Sequence, residues 1–185
     1  MGHYKIMLAD DEGIVIDSLN FIIEKEFGDT CTVEFAKTGR SVIELAERYR
    51  PDIAIMDIQM PGINGIEAMR EIRGTNQSVV FIVMSAYDKF DYAKEAIKLG
   101  VLEYITKPME KTRIIAALKK AMAQIDKERD KRSNDLLIRE KLETVMPIIE
   151  NGLLYNLLFQ EHFQEDIENY KQLLGIGRNH AYMLA

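Results

Sequence analysis

Four places along the first 107 residues carry groups that could do phosphoryl chemistry together: the acid pair Asp10 and Asp11, then Asp57, Ser85 and Lys107. Each follows a short strand-like run, namely Ile6–Ala9, Ile53–Met56, Val79–Met84 and Tyr104–Thr106. If these runs are buried parallel strands, all four polar ends emerge on one edge of a sheet, where open α/β folds bind ligands. Asp57 is the best nucleophile, since a carboxylate can accept a phosphoryl group as an aspartyl phosphate. Several carboxylates at short range repel one another. Mg2+ resolves that conflict: it takes oxygen ligands, keeps several waters and bridges to phosphate. The expected ligands are Asp11 and Asp57 directly, Asp10 through water, and the backbone carbonyl of Gln59. Lys107 offers a point charge to a phosphoryl oxygen, and Ser85 offers one hydroxyl donor.

Taken singly, each residue has a plainer explanation. An Asp after a strand is usually a turn or cap residue. A Ser there can cap the next helix, and a Lys is usually solvated. Adjacent residues on a strand also face opposite ways. Asp10 and Asp11 converge on one ion only if the chain is already turning, which Glu12–Gly13 permits. The joint pattern, four strand ends with complementary chemistry, is what points to a site.

The elements that must position these groups follow from periodicity. Apolar runs near 5–9, 32–36, 53–56, 79–84 and 102–105 alternate with amphipathic segments. Ile14, Leu19, Ile22, Ile23 and Phe27 mark a first helix, with Gly28 as its expected stop. Thr38 caps a second helix that stops before Pro51. Asn64 opens a third, which ends near Gly74; a fourth carries Phe90 to Leu99; a fifth starts after Pro108. Strands and helices in alternation with short connections predict an α/β fold, a flavodoxin-like five-stranded parallel sheet in order 2-1-3-4-5.

The fifth helix has no obvious stop, because no Gly or Pro occurs from Lys111 to Met146. Its apolar register at Ile114, Leu118, Ala121 and Ile125 meets charge at Glu128, Arg132, Asp135 and Arg139, then resumes at Leu142, Met146, Ile149 and Leu153. That pattern fits a coiled coil with a charged centre or a solvated linker helix. The expected organisation is the α/β domain over 1–124, a linker helix continuing the fifth helix over 125–141, and a partial, mostly helical second domain over 142–185. Two helices are expected in that last part, one around Pro147 and one carrying Phe163 to Leu174. The apolar run Ala181–Ala185 reads as a strand cut short, as in a truncated longer protein.

Composition excludes several classes. With 185 residues, 47% of them hydrophobic, the chain can build a core. A net charge of −6 argues against electrostatic binding to nucleic acid by this segment. The single cysteine, Cys31, forms no internal disulfide, and the three histidines show no metal-ligand spacing. No apolar run is long enough to span a membrane and no signal peptide is evident, so a cytoplasmic protein is expected.

Leu8–Glu12, Ile55–Gly62, Met84–Ala86 and Ile105–Pro108 together resemble the receiver domain of two-component response regulators, over about residues 4–124. The resemblance implies that Asp57 takes a phosphoryl group from the phosphohistidine of a sensor histidine kinase. It implies a Mg2+ site at Asp10, Asp11, Asp57 and the Gln59 carbonyl, with Ser85 and Lys107 sensing the phosphate. It implies a cis peptide at Lys107–Pro108, and a switch role for Tyr104, which turns inward when Ser85 is drawn to the phosphate. Gln59 and Tyr87 would tune hydrolysis. Such a domain is not an enzyme beyond its own phosphoryl transfer and dephosphorylation. Dimerisation is expected through the face of the fourth helix, fifth strand and fifth helix, or through the linker helix. Beyond residue 124, Glu140–Leu142 and Leu173–Ile176 more weakly resemble regulators ending in an AraC-type helix-turn-helix domain; DNA would be bound only through that absent part. Rival readings are a stand-alone phosphorelay receiver, an aspartyl-phosphate phosphatase, or an interaction module that no longer uses phosphate.

Overall fold

The computed structural model describes residues 3–86 and 90–159. Five strands, β1 (Tyr4–Ala9), β2 (Cys31–Ala36), β3 (Ile53–Asp57), β4 (Val80–Ser85) and β5 (Glu103–Thr106), pair in parallel in the order β2-β1-β3-β4-β5. Helices α1 (Gly13–Phe27), α2 (Gly39–Tyr49), α3 (Gly65–Thr75), α4 (Phe90–Lys98) and α5 (Lys111–Phe159) follow the strands in turn. The predicted fold class and strand order hold.

Strand alternation divides the core between two faces. Ile6, Leu8, Ile53, Ile55, Ile82, Met84 and Ile105 pack against α1 and the first turns of α5, where Ile114, Leu118 and Ile125 are buried. Met7, Ala9, Ala54, Met56, Phe81 and Val83 pack on the other face with Val42, Leu45, Ile66, Met69 and Ile72. β1, β3 and β4 are covered on both sides, which explains why they read as unbroken apolar runs. Each buried Ile, Leu or Met here contributes on the order of 1.5–3 kcal/mol. Cys31 sits in the first cluster, and burial pushes its thiol pKa up, as befits an inert packing residue.

Caps decide where the helices begin and end. Thr38 and Ser41 bond reciprocally at the start of α2, and Asn64 and Glu67 do so at the start of α3. At the end of α2 a non-glycine, Arg50, takes the left-handed conformation (φ 50°), because Pro51 bars its predecessor from the right-handed helical region. α1 stops where expected, at Gly28. Gly28 stays right-handed, with φ −49°. The backbone N–H and hydroxyl of Thr30 both donate to the Phe27 carbonyl, so no left-handed residue is needed to satisfy it. α5 differs from expectation. The helix expected around Pro147 is not a separate one: α5 runs without a break from Lys111 through Pro147 to Phe159. The helix expected over 163–174 and the run Ala181–Ala185 lie outside the described residues.

One compact unit runs through Arg129 and a second begins at Asp130. In the first unit a polar clamp ties the outgoing α5 to the sheet. The Tyr4 hydroxyl donates to Asp126 at 2.6 Å, and Arg129 donates to Asp52 at 2.7 Å. Asp52 in turn accepts the Lys5 backbone N–H at 2.9 Å. The Arg129 guanidinium lies 5.3 Å from the centre of the Tyr4 ring. Burial, then the Asp126 hydrogen bond and charge, push the Tyr4 hydroxyl from 10.0 up to about 12. A raised folded pKa stabilises fully below the unfolded value, and the contribution is lost as pH rises through the folded one. Tyr4→Phe should therefore cost about 1 kcal/mol below pH 10. The deficit should shrink between pH 10 and 12, read from paired urea melts of the two proteins. A deficit independent of pH across that window would contradict the clamp. Along the second unit's part of α5, Leu136, Leu137, Ile138, Leu142, Val145 and Ile148 are exposed.

Candidate functional site

Parallel pairing brings the four predicted places to one sheet edge. Asp10 follows the last residue of β1, Asp57 ends β3, Ser85 ends β4, and Lys107 follows β5. Register sets Asp57 beside Met84 and Ser85 beside Thr106. Asp10, Asp57 and Ser85 are the buried polar residues among those described, with 0%, 3% and 1% of their surface exposed. Such burial is costly for carboxylates unless they are paired.

Lys107 supplies the pairing. Its Nζ lies 2.8 Å from Asp10 Oδ2, 3.6 Å from Asp57 Oδ2 and 3.9 Å from Glu12 Oε1. Burial works against its ammonium form. The Asp10 hydrogen bond and the charges of Asp57, Asp10 and Glu12 outweigh that and hold its pKa above the usual lysine value. The Lys107 backbone N–H donates to the Ser85 carbonyl at 2.8 Å, which locks the start of the β5–α5 loop to the end of β4. The Lys107–Pro108 peptide is cis. Glu12 is a site neighbour that sequence reading treated only as a turn residue; its adjacency to the acid pair was the available signal.

The turn that both acids require is present. Glu12 N–H donates to Asp10 Oδ1 at 3.0 Å, and the chain bends at Asp11. Oxygen atoms of Asp10, Asp11 and Asp57 all lie within 4.8 Å of one another, with Asp11 exposed. An all-oxygen set of three carboxylates, open on the Asp11 side, fits a hard divalent cation such as Mg2+ that retains waters. Burial pushes the Asp57 carboxyl from 3.8 up to about 6. Lys107 opposes the shift, Asp10 adds to it, and the backbone N–H groups of Gln59 and Ile58 oppose it. Gln59 thus touches the acceptor through its N–H, and its side chain is exposed.

Tyr104 sits on β5 beside Val83, half-buried against the cluster on the α4 side of the sheet. Tyr87 lies outside the described residues.

Residues 6–119 match the response regulator receiver domain family. The chain belongs to that family. The chain is 33% identical over 155 residues to the uncharacterized transcriptional regulatory protein YesN of Bacillus subtilis, covering 84% of this chain and 42% of YesN. It is 34% identical over 107 residues to the transcriptional regulatory protein HptR of Staphylococcus aureus, covering 58% of this chain and 42% of HptR. The chain therefore spans less than half the length of either relative. Among solved structures, the receiver domain of AraT, a response regulator from Geobacillus stearothermophilus, superposes with a TM-score of 0.62. It is 32% identical and covers 68% of this chain and 98% of that one. A CheY-like receiver from Methanospirillum hungatei, at 23% identity and a TM-score of 0.65 over 69% of this chain and 99% of that one, shares the fold. Among the described residues, no helix is long and apolar enough to cross a membrane.

Proposed function

We propose that this receiver is a phosphorylation-controlled switch of a two-component system. A sensor histidine kinase donates a phosphoryl group to Asp57, and a transcriptional output in a longer protein responds. The observation that carries the reading is the buried Asp57 carboxylate beside Lys107, with Asp10 and Asp11 converging on the same point.

An ionised Asp57 oxygen attacks phosphorus as the bond from phosphorus to the donor's histidine nitrogen breaks. The electron pair leaves with the imidazole, which takes a proton from solvent. Although burial raises its pKa to about 6, Asp57 is still mostly ionised at neutral pH. Bound Mg2+ would supply neutralisation of charge between the acceptor and the incoming phosphoryl oxygens, held by Asp11, Asp57, the Gln59 carbonyl and, through water, Asp10. Lys107 then turns from its Asp10 and Asp57 partners toward a phosphoryl oxygen, and Ser85 donates its hydroxyl to another. Movement of Ser85 lets Tyr104 change rotamer, and the α4–β5–α5 face changes shape. Homodimerisation through that face or through α5 would carry the signal on. That YesN and HptR are transcriptional regulatory proteins supports a transcriptional output in the longer protein, which favours this reading over a stand-alone phosphorelay receiver. In a cytoplasmic setting the kinase and the switch share one compartment.

The test is direct. Incubation with a small acyl phosphate and Mg2+ should add one phosphoryl to the intact mass, and hydroxylamine should remove it. No added mass, or hydroxylamine-resistant mass, would sink the assignment.

A further inference from the structure

The loop after Asp57 carries the Gln59 carbonyl, and its shape depends on a residue from a different helix. Its base is closed tightly. Ile58 N–H donates to the Met84 carbonyl at 3.2 Å, and Gly65 N–H donates to the Ile58 carbonyl at 2.9 Å. A Cβ on Gly65 would stand 2.1 Å from the Asp57 carbonyl oxygen, so the two ends of the loop touch backbone to backbone. Gly62 turns the far side, with φ 81°. Ile58 and Met60 are buried, and Ile63 packs on the core.

From outside, Gly39 presses on that far side. Gly39 is the first residue of α2, next to its cap Thr38, and Ile63 precedes Asn64, the cap of α3. Two helix starts therefore meet at this point. A Cβ on Gly39 would fall 1.9 Å from the Ile63 carbonyl oxygen, 2.6 Å from its carbon and 2.7 Å from its Cβ. An ordinary carbon-to-oxygen contact needs about 3.3 Å. The atom in the way is backbone, so no rotamer change relieves the overlap.

We infer that Gly39 is a positioning residue for metal binding by this receiver: it fixes the loop that carries Gln59 without touching the site itself. The inference rests on the Mg2+ reading above. With the loop base pinned at Ile58 and Gly65, any push on Ile63 must be absorbed between residues 59 and 63, the stretch that includes the carbonyl ligand. The coupling also runs the other way. Closure of the Gln59 carbonyl on the cation is transmitted to the N-terminus of α2.

Mg2+ titrations of the full chain, followed by amide NMR shifts, test this. Gly39→Ala should remain folded and bind Mg2+ about tenfold more weakly. Gly74→Ala, whose added methyl meets open space, should bind as the parent does. In the unsubstituted protein the amides of Thr38 and Gly39 should shift with the same midpoint as those of Gln59 and Ile63. A folded Gly39→Ala protein with affinity within twofold of the parent overturns the inference. If that variant does not fold, the parent titration decides: silent Thr38 and Gly39 amides beside moving Gln59 and Ile63 amides overturn it equally. Absence of Mg2+ binding by the parent would instead defeat the metal reading, and this inference with it.

Discussion

Asp57→Asn is expected to abolish phosphoryl incorporation and, in Mg2+-free buffer at neutral pH, to make the protein more stable than the parent. Loss of modification follows because an amide is a poor nucleophile toward phosphorus. The gain in stability follows from burial. The folded Asp57 carboxyl sits at about 6 against 3.8 for a free one, so its ionisation opposes folding. The sign is that of a raised pKa: the favourable contribution is complete below pH 3.8 and is lost as pH rises through about 6. Two pKa units correspond to about 3 kcal/mol, shared with Asp10 and Lys107, which sit in the same charge cluster. The stability curves of parent and variant should therefore coincide near pH 4 and diverge by roughly 2 kcal/mol above pH 6.5. Saturating Mg2+ should close the gap, since a ligand that binds only the folded parent stabilises it by mass action. Guanidinium melts at several pH values with and without Mg2+ measure this. A variant less stable than the parent at pH 7 without metal would mean that Lys107 already over-compensates the buried charge.

Lys107→Ala should have the opposite sign and a larger size. Among the described residues its ammonium is the cation within 4 Å of both Asp10 and Asp57, and Asp10 is wholly buried. Removing one partner of a buried pair leaves an uncompensated charge and typically costs about 3–5 kcal/mol. Here two carboxylates lose their counter-charge together. The variant should unfold at a much lower denaturant midpoint in Mg2+-free buffer, with an unchanged slope. Millimolar Mg2+ should recover part of the loss, and the double variant with Asp57→Asn should recover another part, because the two positions are coupled by contact. Lys107→Arg is not a neutral exchange, since a planar guanidinium presents a different donor geometry from a compact ammonium. A cost below about 1 kcal/mol for Lys107→Ala would show that water already shields the acids.

These results depend on tertiary proximity, yet much of the arrangement was legible in the linear order. β1, β3 and β4 announce themselves as apolar runs because both of their faces are covered. The caps at Thr38 and Asn64 are local chemistry and read directly. Gly28 marks the end of α1 as read, although it stays right-handed, because Thr30 satisfies the Phe27 carbonyl. The helix expected around Pro147 exists but is not a separate one, since α5 continues into it without a break.

Residue types along the chain determined by themselves that acids, a hydroxyl and a lysine stand at the ends of four of the five strands, and that these strands are parallel. Side-chain period and strand length are local properties, so no long-range information was needed. Only the folded structure decided that Lys107 bonds Asp10 more closely than Asp57, that Glu12 joins them, and that Gly39 bears on the loop beside the acceptor. Those outcomes turn on ångström-scale distances between groups far apart in sequence, set by how helices pack on a twisted sheet, which no spacing along the chain encodes.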